Sequence, residues 1–469
     1  MDIPISGWLL LPFVLMLLTI AVAPLVAEHW WESNRNKLIV SLVLGVPTAI
    51  ILCRMGLSHN LEHQLVFDYI PFIVLLLGLF TTTGGIKLSG DIRATPAVNT
   101  LFLAIGAVLA SFMGTTGASM LLIRPVLATN RQRRFTVHTV LFFIAIVSNA
   151  GGILTPLGDP PLFLLYLRGA PFTWFFHLIP EWLTVNVLLL AIYYIFDSVQ
   201  YRKESKVNLQ KDVAEKQPLR LTGCINFVWL LGVILAVAFM NEQYFPFMKD
   251  PNTGANTYWM FLREGMILLM VVASLLTTKK SVREANQFTW GPVVEVAFLF
   301  VGIFTTMVPA LLYLQQHAQA LGLTKPIHFF FATGALSGFL DNAPTALAFH
   351  SLAMGLPTNV PEIAGITVPL LKAISLGAVL FGSMTYIGNG PNFMVKAIAE
   401  SSGIKMPDFF KYMYKFSLII LLPSLLNLSC SGGDGTPPKK KSPPAYIYNG
   451  DNKCYSDAPS QQTGSKKTE

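Results

Sequence analysis

Charge is what this sequence has least of. Only 12% of its 469 residues are Asp, Glu, Lys or Arg, about half the share usual in soluble globular proteins. That shortage excludes an ordinary water-soluble domain. Cysteine is scarcer still: Cys53, Cys224, Cys430 and Cys454 have no metal-ligand spacing, which excludes a zinc cluster. No motif resembles a nucleotide site or a catalytic triad, so the chain does not read as an enzyme and needs no cofactor beyond simple ions. The net charge of +8 suggests nucleic acid, but six of the 33 Lys and Arg lie after Ser431 and most others fall in short loops. Positive charge placed that way orients membrane helices.

What is present is apolar. Hydrophobic residues make up 53% of the chain and the mean hydropathy is +0.55. Runs near the ~20 residues that cross a bilayer recur at 7–27, 38–53, 67–86, 98–128, 137–168, 173–197, 221–241, 258–277, 290–315, 327–353, 366–398 and 409–430. This predicts an all-α polytopic membrane protein, surrounded by the lipid bilayer. The first run lacks the basic amino-terminal region of a cleaved signal peptide and reads as a permanent helix. Cys53 and Cys224 sit in apolar runs and read as packing residues. Residues 201–220 interleave six Lys and Arg with acids and read as a solvated linker. Residues 431–469, rich in Gly, Pro, Lys and Ser, read as a disordered tail, with Cys430 and Cys454 able to pair in an oxidising compartment.

Three short motifs recur in one order. Phe80-Thr-Thr-Thr83 matches Phe304-Thr-Thr-Met307, 224 residues on. Ser111-Phe-Met-Gly-Thr-Thr-Gly-Ala118 matches Gly338-Phe-Leu-Asp-Asn-Ala-Pro-Thr345, displaced by 227, and Thr155-Pro-Leu-Gly-Asp-Pro-Pro161 matches Thr385-Tyr-Ile-Gly-Asn-Gly-Pro391, displaced by 230. The slowly drifting offset points to duplication. Segments 98–128 and 327–353 have polar or helix-breaking centres with arms too short for two full crossings, so each is expected to be a re-entrant hairpin. Segments 137–168 and 366–398 carry Gly, Pro and Asn or Asp in mid-run and are expected to be broken helices.

The expected organisation is a first repeat at 1–200, a cytoplasmic linker at 201–220, a second repeat at 221–430 and the tail at 431–469. Each repeat has five crossings and one hairpin. Five is odd, so the second repeat must enter the membrane inverted. An outside amino terminus puts eighteen Lys and Arg inside, at 33–37, 87–93, 131–134, 202–220, 279–283 and 405–411. Five remain outside: Arg54, Arg168, Lys249, Arg263 and Lys325. The positive-inside rule therefore places both termini outside the cytoplasm and the linker within it.

Hairpin tips and helix breaks of inverted-repeat transporters meet near the midplane. The candidate ligands there are Thr115, Thr116, Ser148, Asn149, Thr155 and Asp159 from the first half, with Asp341, Asn342, Thr345, Thr385, Asn389 and Asn392 from the second. Carboxylates, amides, hydroxyls and freed carbonyls suit a hard cation such as Na+. Asp159 and Asp341 can also carry protons, and competition of Na+ with H+ at a carboxylate is sufficient for antiport. Intramembrane carboxylates are functional candidates by default. The plainer reading is capping, Asp159 of the helix starting at Pro160 and Asp341 of the second hairpin arm. Arg124 and Lys396 could hold an anion or snorkel, Glu181 and Glu295 could relay protons or mark an interface, and His350 reads as a structural donor.

At Ser148-Asn-Ala-Gly-Gly-Ile-Leu-Thr-Pro-Leu-Gly-Asp159 and Leu340-Asp-Asn-Ala-Pro-Thr345 the chain resembles the ion transporter superfamily of citrate-transporter-like proteins. That group includes NhaD-type sodium/proton antiporters, arsenite permeases and divalent-anion/sodium symporters, and these motifs look most like the antiporter branch. The resemblance implies an elevator-like mechanism in the bacterial inner membrane, on a scaffold that forms a homodimer. It also implies ion sites at Asn149, Asp159, Asp341, Asn342 and Asn389, with Na+ expected at the first four. Gly114-Thr-Thr-Gly117 stands where the symporters carry Ser-Asn-Thr, which counts against a dicarboxylate. The Asp159-Pro-Pro161 run is shared with anion-carrying relatives. The sequence therefore supports Na+ (or Li+) exchange for H+ first, and organic-anion or oxyanion transport coupled to Na+ or H+ second.

Overall fold

A computed structural model describes residues 3–250, 256–357 and 362–431. The expectations placed on the tail, and on a pair between Cys430 and Cys454, lie outside the described residues and side chains.

The described chain is a bundle of helices whose apolar residues face outward as well as inward. Among the described residues, nine helical stretches are long and apolar enough to cross a membrane, from Gly7–Pro24 to Phe409–Leu426, and Ile225–Phe239 and Val368–Met384 are shorter apolar helices. Large hydrophobic side chains such as Val43, Val187, Ile195 and Leu269 are exposed around the outside. A water-soluble surface would not carry them, whereas hydrocarbon accepts them without cost. The chain is an integral, polytopic, mostly helical membrane protein. Cys53 and Cys224 are correspondingly exposed rather than packed, because an apolar run reads the same whether its face meets lipid or core.

Several boundaries differ from the expectation. Lys37, assigned to a loop, lies inside the Asn34–Arg54 helix, is 4% exposed and pairs with Glu295 at 2.6 Å. The linker is not simply solvated: the Ile179–Arg202 helix runs into it, Lys206–Ala214 is helical, and Gln217–Thr222 forms an antiparallel ribbon with Lys87–Asp91. Asp212 is buried and accepts the Ala94 N–H with both oxygens.

Around the first tip, Pro96–Met113 and Thr115–Thr129 are separated by Gly114 with φ +79°. An L side chain rarely adopts that backbone, so glycine ends one helix and lets the next begin at once. The first arm is 18 residues long, enough by length and composition to cross a membrane and longer than expected. Its counterpart has arms of 12 and 13 residues, Pro326–Ser337 and Asn342–Met354, parted by Gly338–Asp341.

Both expected helix breaks are present. Val137–Ile146 stops before a tight 3-10 turn at Ala150–Leu154, and a new helix starts at Pro160. Val368–Phe381 likewise stops before Gly382–Met384, and a new helix starts at Gly390. A Cβ on Gly158 would overlap the Gly152 carbonyl, and one on Gly388 would sit 2.6 Å from the Gly382 carbonyl. Backbone passes so close to backbone that only glycine fits.

Candidate functional site

The two breaks and two tips converge on a cavity of about 130 Å³. Phe72, Leu75, Leu79, Phe163 and Phe300 form much of its apolar wall, and Thr115, Thr116, Asp159, Asp341, Asn342 and Asn389 its polar side. Among the described residues, no Lys or Arg lines it. The helices that begin at Thr115, Pro160, Asn342 and Gly390 all point their amino-terminal ends into this space.

Asp159 lies at the centre and is 1% exposed. Its side chain does not cap the helix it precedes. Instead the Thr115 hydroxyl donates to Oδ1 at 2.7 Å, Asn389 Nδ2 donates to the same oxygen at 3.0 Å, and Asn342 Nδ2 donates to Oδ2 at 2.6 Å. A carboxylate has about four acceptor positions. Three are filled by neutral donors, which leaves one position on the carboxyl group without a partner among the described residues. Asp341 is half-buried on the cavity wall, accepts the Ala343 N–H at 3.0 Å and so caps its helix.

The remaining candidates divide by role. Asn389 Nδ2 also donates to the Ser148 carbonyl (3.1 Å) and Asn149 Oδ1 (3.2 Å), and Asn149 Nδ2 donates to Asn392 Oδ1 (2.7 Å) and the Ile144 carbonyl (2.8 Å). Asn392 in turn donates to the Gly382 and Thr385 carbonyls. These amides tie the two breaks together. Thr155 and Thr385 do not reach Asp159: Thr155 donates to the Ser111 carbonyl and Thr385 to the Gly338 carbonyl. Thr345 bonds the Asp341 carbonyl, and Thr116 lines the cavity without a hydrogen bond to Asp159. Ser148 adds a hydroxyl contact to Ser119 at 2.8 Å, a partner not anticipated from the sequence.

Matched positions do matched work. Thr115 and Asn342, 227 apart in sequence, both open a helix and both hydrogen-bond the Asp159 carboxylate. Asp159 and Asn389, 230 apart, both precede a helix without capping it and touch each other. Thr155 and Thr385 accept the Leu157 and Ile387 N–H groups, each at 3.2 Å.

The other charged candidates are engaged elsewhere. Arg124 donates to Gln287 at 2.9 Å, Lys396 pairs with Glu400 at 3.4 Å, and Glu181 pairs with Lys372. His350 shares a 2.8 Å hydrogen bond with the Ala364 carbonyl. The sequence reading missed a buried network near the Arg131–Arg134 loop. Arg133 meets Asp197 at 2.5 and 3.1 Å, and His138 meets the same carboxylate at 2.7 Å. The only signal was an Asp at the end of an apolar segment and a loop of three arginines.

Residues 3–430 match a family described as putative citrate transport. An uncharacterized transporter of Mycobacterium tuberculosis is 23% identical over 82% of this chain and 90% of its own length. A 46 kDa membrane protein of Mycobacterium leprae is 28% identical over 65% of this chain and 68% of its own. An inner membrane protein of Escherichia coli is 30% identical over 20% of this chain and 29% of its own.

Proposed function

The chain belongs to the citrate-transporter-like superfamily, and we propose that it is a secondary transporter exchanging Na+ (or Li+) for H+ through Asp159. The observation that carries this reading is a buried carboxylate held by three neutral donors in a cavity that, among the described residues, no cationic side chain lines. Such a site is built to receive positive charge. Asn342 and Asn389 each carry an amide oxygen beside the one that donates, so rotation of these amides turns donors to the bare carboxylate into ligands for an entering ion, with Asn149 Oδ1 next to Asn389 as a further oxygen. A proton takes the open position on the same carboxylate, and the two ions displace one another. Asp341 on the same wall is the second candidate carrier.

The matched roles of Thr115 with Asn342 and of Asp159 with Asn389 support an inverted duplication, with the first repeat at 1–200 and the second at 221–430. In this reading 98–128 and 327–353 are re-entrant hairpins, both termini lie outside the cytoplasm, and 201–220 is cytoplasmic. Hairpins and broken helices move together, elevator-like, against a scaffold containing the Asn34–Arg54 and Gly291–Gln316 helices, within a homodimer in a bacterial inner membrane.

A second reading, citrate or another anion carried with coupling cations, has a specific observation in its favour. Four helix amino termini face the cavity, each equivalent to roughly half a positive charge. With cations on Asp159 and Asp341, those termini would be free to hold an anion. Proton movement in proteoliposomes under an imposed pH gradient separates the readings. Gradient collapse on adding Na+ or Li+, absent with Asp159→Asn, supports exchange; collapse on adding citrate alone refutes it.

A further inference from the structure

A second cavity, of about 740 Å³, lies between the Arg131–Arg134 loop, the carboxyl end of the Gly390–Ser401 helix and Gln287. Its size is within the range of small-molecule sites. Arg124, Arg131, Arg133, Arg134 and Lys405 line it, and among the described residues no Asp or Glu does. We propose that this cavity binds a soluble multivalent oxyanion, of the class of a diphosphate or a tricarboxylate.

The charges are only partly answered by the protein. Arg133 is neutralised by Asp197, and Arg131 meets Glu215 at 3.0 Å. Glu204 accepts from the backbone N–H groups of Arg134 and Phe135. Arg124, Arg134 and Lys405 have no ion pair with a carboxylate among the described residues. Basic residues near helix carboxyl termini can serve the helix dipole alone, and Thr115–Thr129 and Gly390–Ser401 both end here. Two such ends supply about one negative charge together, which is less than the three cations left over. Among the described residues, Nη1 of Arg124 and Nε of the 6%-exposed Arg133 are also buried without a hydrogen-bond partner.

The position gives occupancy a consequence. The two helices that end at this cavity begin at the Asp159 cavity, and Gln287 precedes the Gly291–Gln316 helix. An anion bridging Arg124, Arg134 and Lys405 would tie those two helices together beside Gln287. The inference holds whichever ion crosses at Asp159.

The test is calorimetric titration of the purified full-length protein in uncharged detergent with pyrophosphate, citrate and chloride, at low and high ionic strength. Pyrophosphate and citrate are expected to bind, weakening with salt, while chloride does not. Arg131→Gln/Arg134→Gln should bind pyrophosphate at least about tenfold more weakly, the worth of one charge-assisted contact, and Gly265→Ala, with open space around it, as tightly as the native chain. Should the double variant misfold, Lys405→Gln, at an exposed position outside any helix, carries the same expectation. Absence of pyrophosphate binding, or binding by the charge variants as tight as the native chain's, would overturn the proposal.

Discussion

Replacing Asp159 by Ala and by Asn should separate its structural from its ionic role. Ala removes the acceptor for Thr115, Asn342 and Asn389 together. Asn389 keeps the Ser148 and Asn149 oxygens as alternatives, so two donors are orphaned. At about 1–3 kcal/mol for each buried unsatisfied donor, the loss is roughly 2–6 kcal/mol, a large part of an ordinary folding stability of about 5–15 kcal/mol. Asn retains one oxygen for Thr115 and Asn389. Its amide then faces Asn342, whose side chain among the described residues hydrogen-bonds Asp159 alone and which can rotate to offer its oxygen, so the cost is about 1 kcal/mol or less. Thermal unfolding of the purified variants in detergent reads the difference: Asn near native, Ala well below. An Ala variant as stable as the Asn variant would refute the view that this carboxylate joins the two halves.

Three further perturbations follow from the geometry. Gly158→Ala places a Cβ against the Gly152 carbonyl and should sharply lower the yield of monodisperse protein, whereas Gly265→Ala, with open space around it, should leave it unchanged. Asp197→Ala strands the buried Arg133 and should cost about 3–5 kcal/mol, seen as a lowered unfolding temperature, with Asp197→Asn milder. Thr385→Val removes the hydroxyl that donates to the Gly338 carbonyl and accepts the Ile387 and Gly388 N–H groups. It should lower the unfolding temperature without changing which ions drive proton movement.

The helix breaks, and the interruptions at Gly114 and 338–341, were legible in the sequence because glycine, proline and amides inside apolar runs have few other uses. Thr115, Asn149, Asp159, Asn342 and Asn389 do meet in one hydrogen-bonded cluster, although Asp341 spends an oxygen on its own helix and Thr155, Thr345 and Thr385 bond backbone carbonyls instead. Capping and cross-element contact use the same residue types, so one sequence cannot choose between them. The Arg133–Asp197–His138 network and the pairing of Lys87–Asp91 with Gln217–Thr222 stayed hidden for another reason. Their partners are 59 to 64 residues apart in the first case and over a hundred in the second, and no local pattern marks them. The buried Lys37 shows the same limit, because its partner Glu295 lies in the opposite half of the chain.

The most direct test of exchange at Asp159 follows labelled Na+ and labelled citrate side by side into proteoliposomes with an acidic lumen. Exchange predicts that Na+ accumulates as protons leave, that citrate does not, and that Asp159→Asn abolishes Na+ uptake while remaining folded. Accumulation of citrate, with Na+ entering only when citrate is present, would contradict the account.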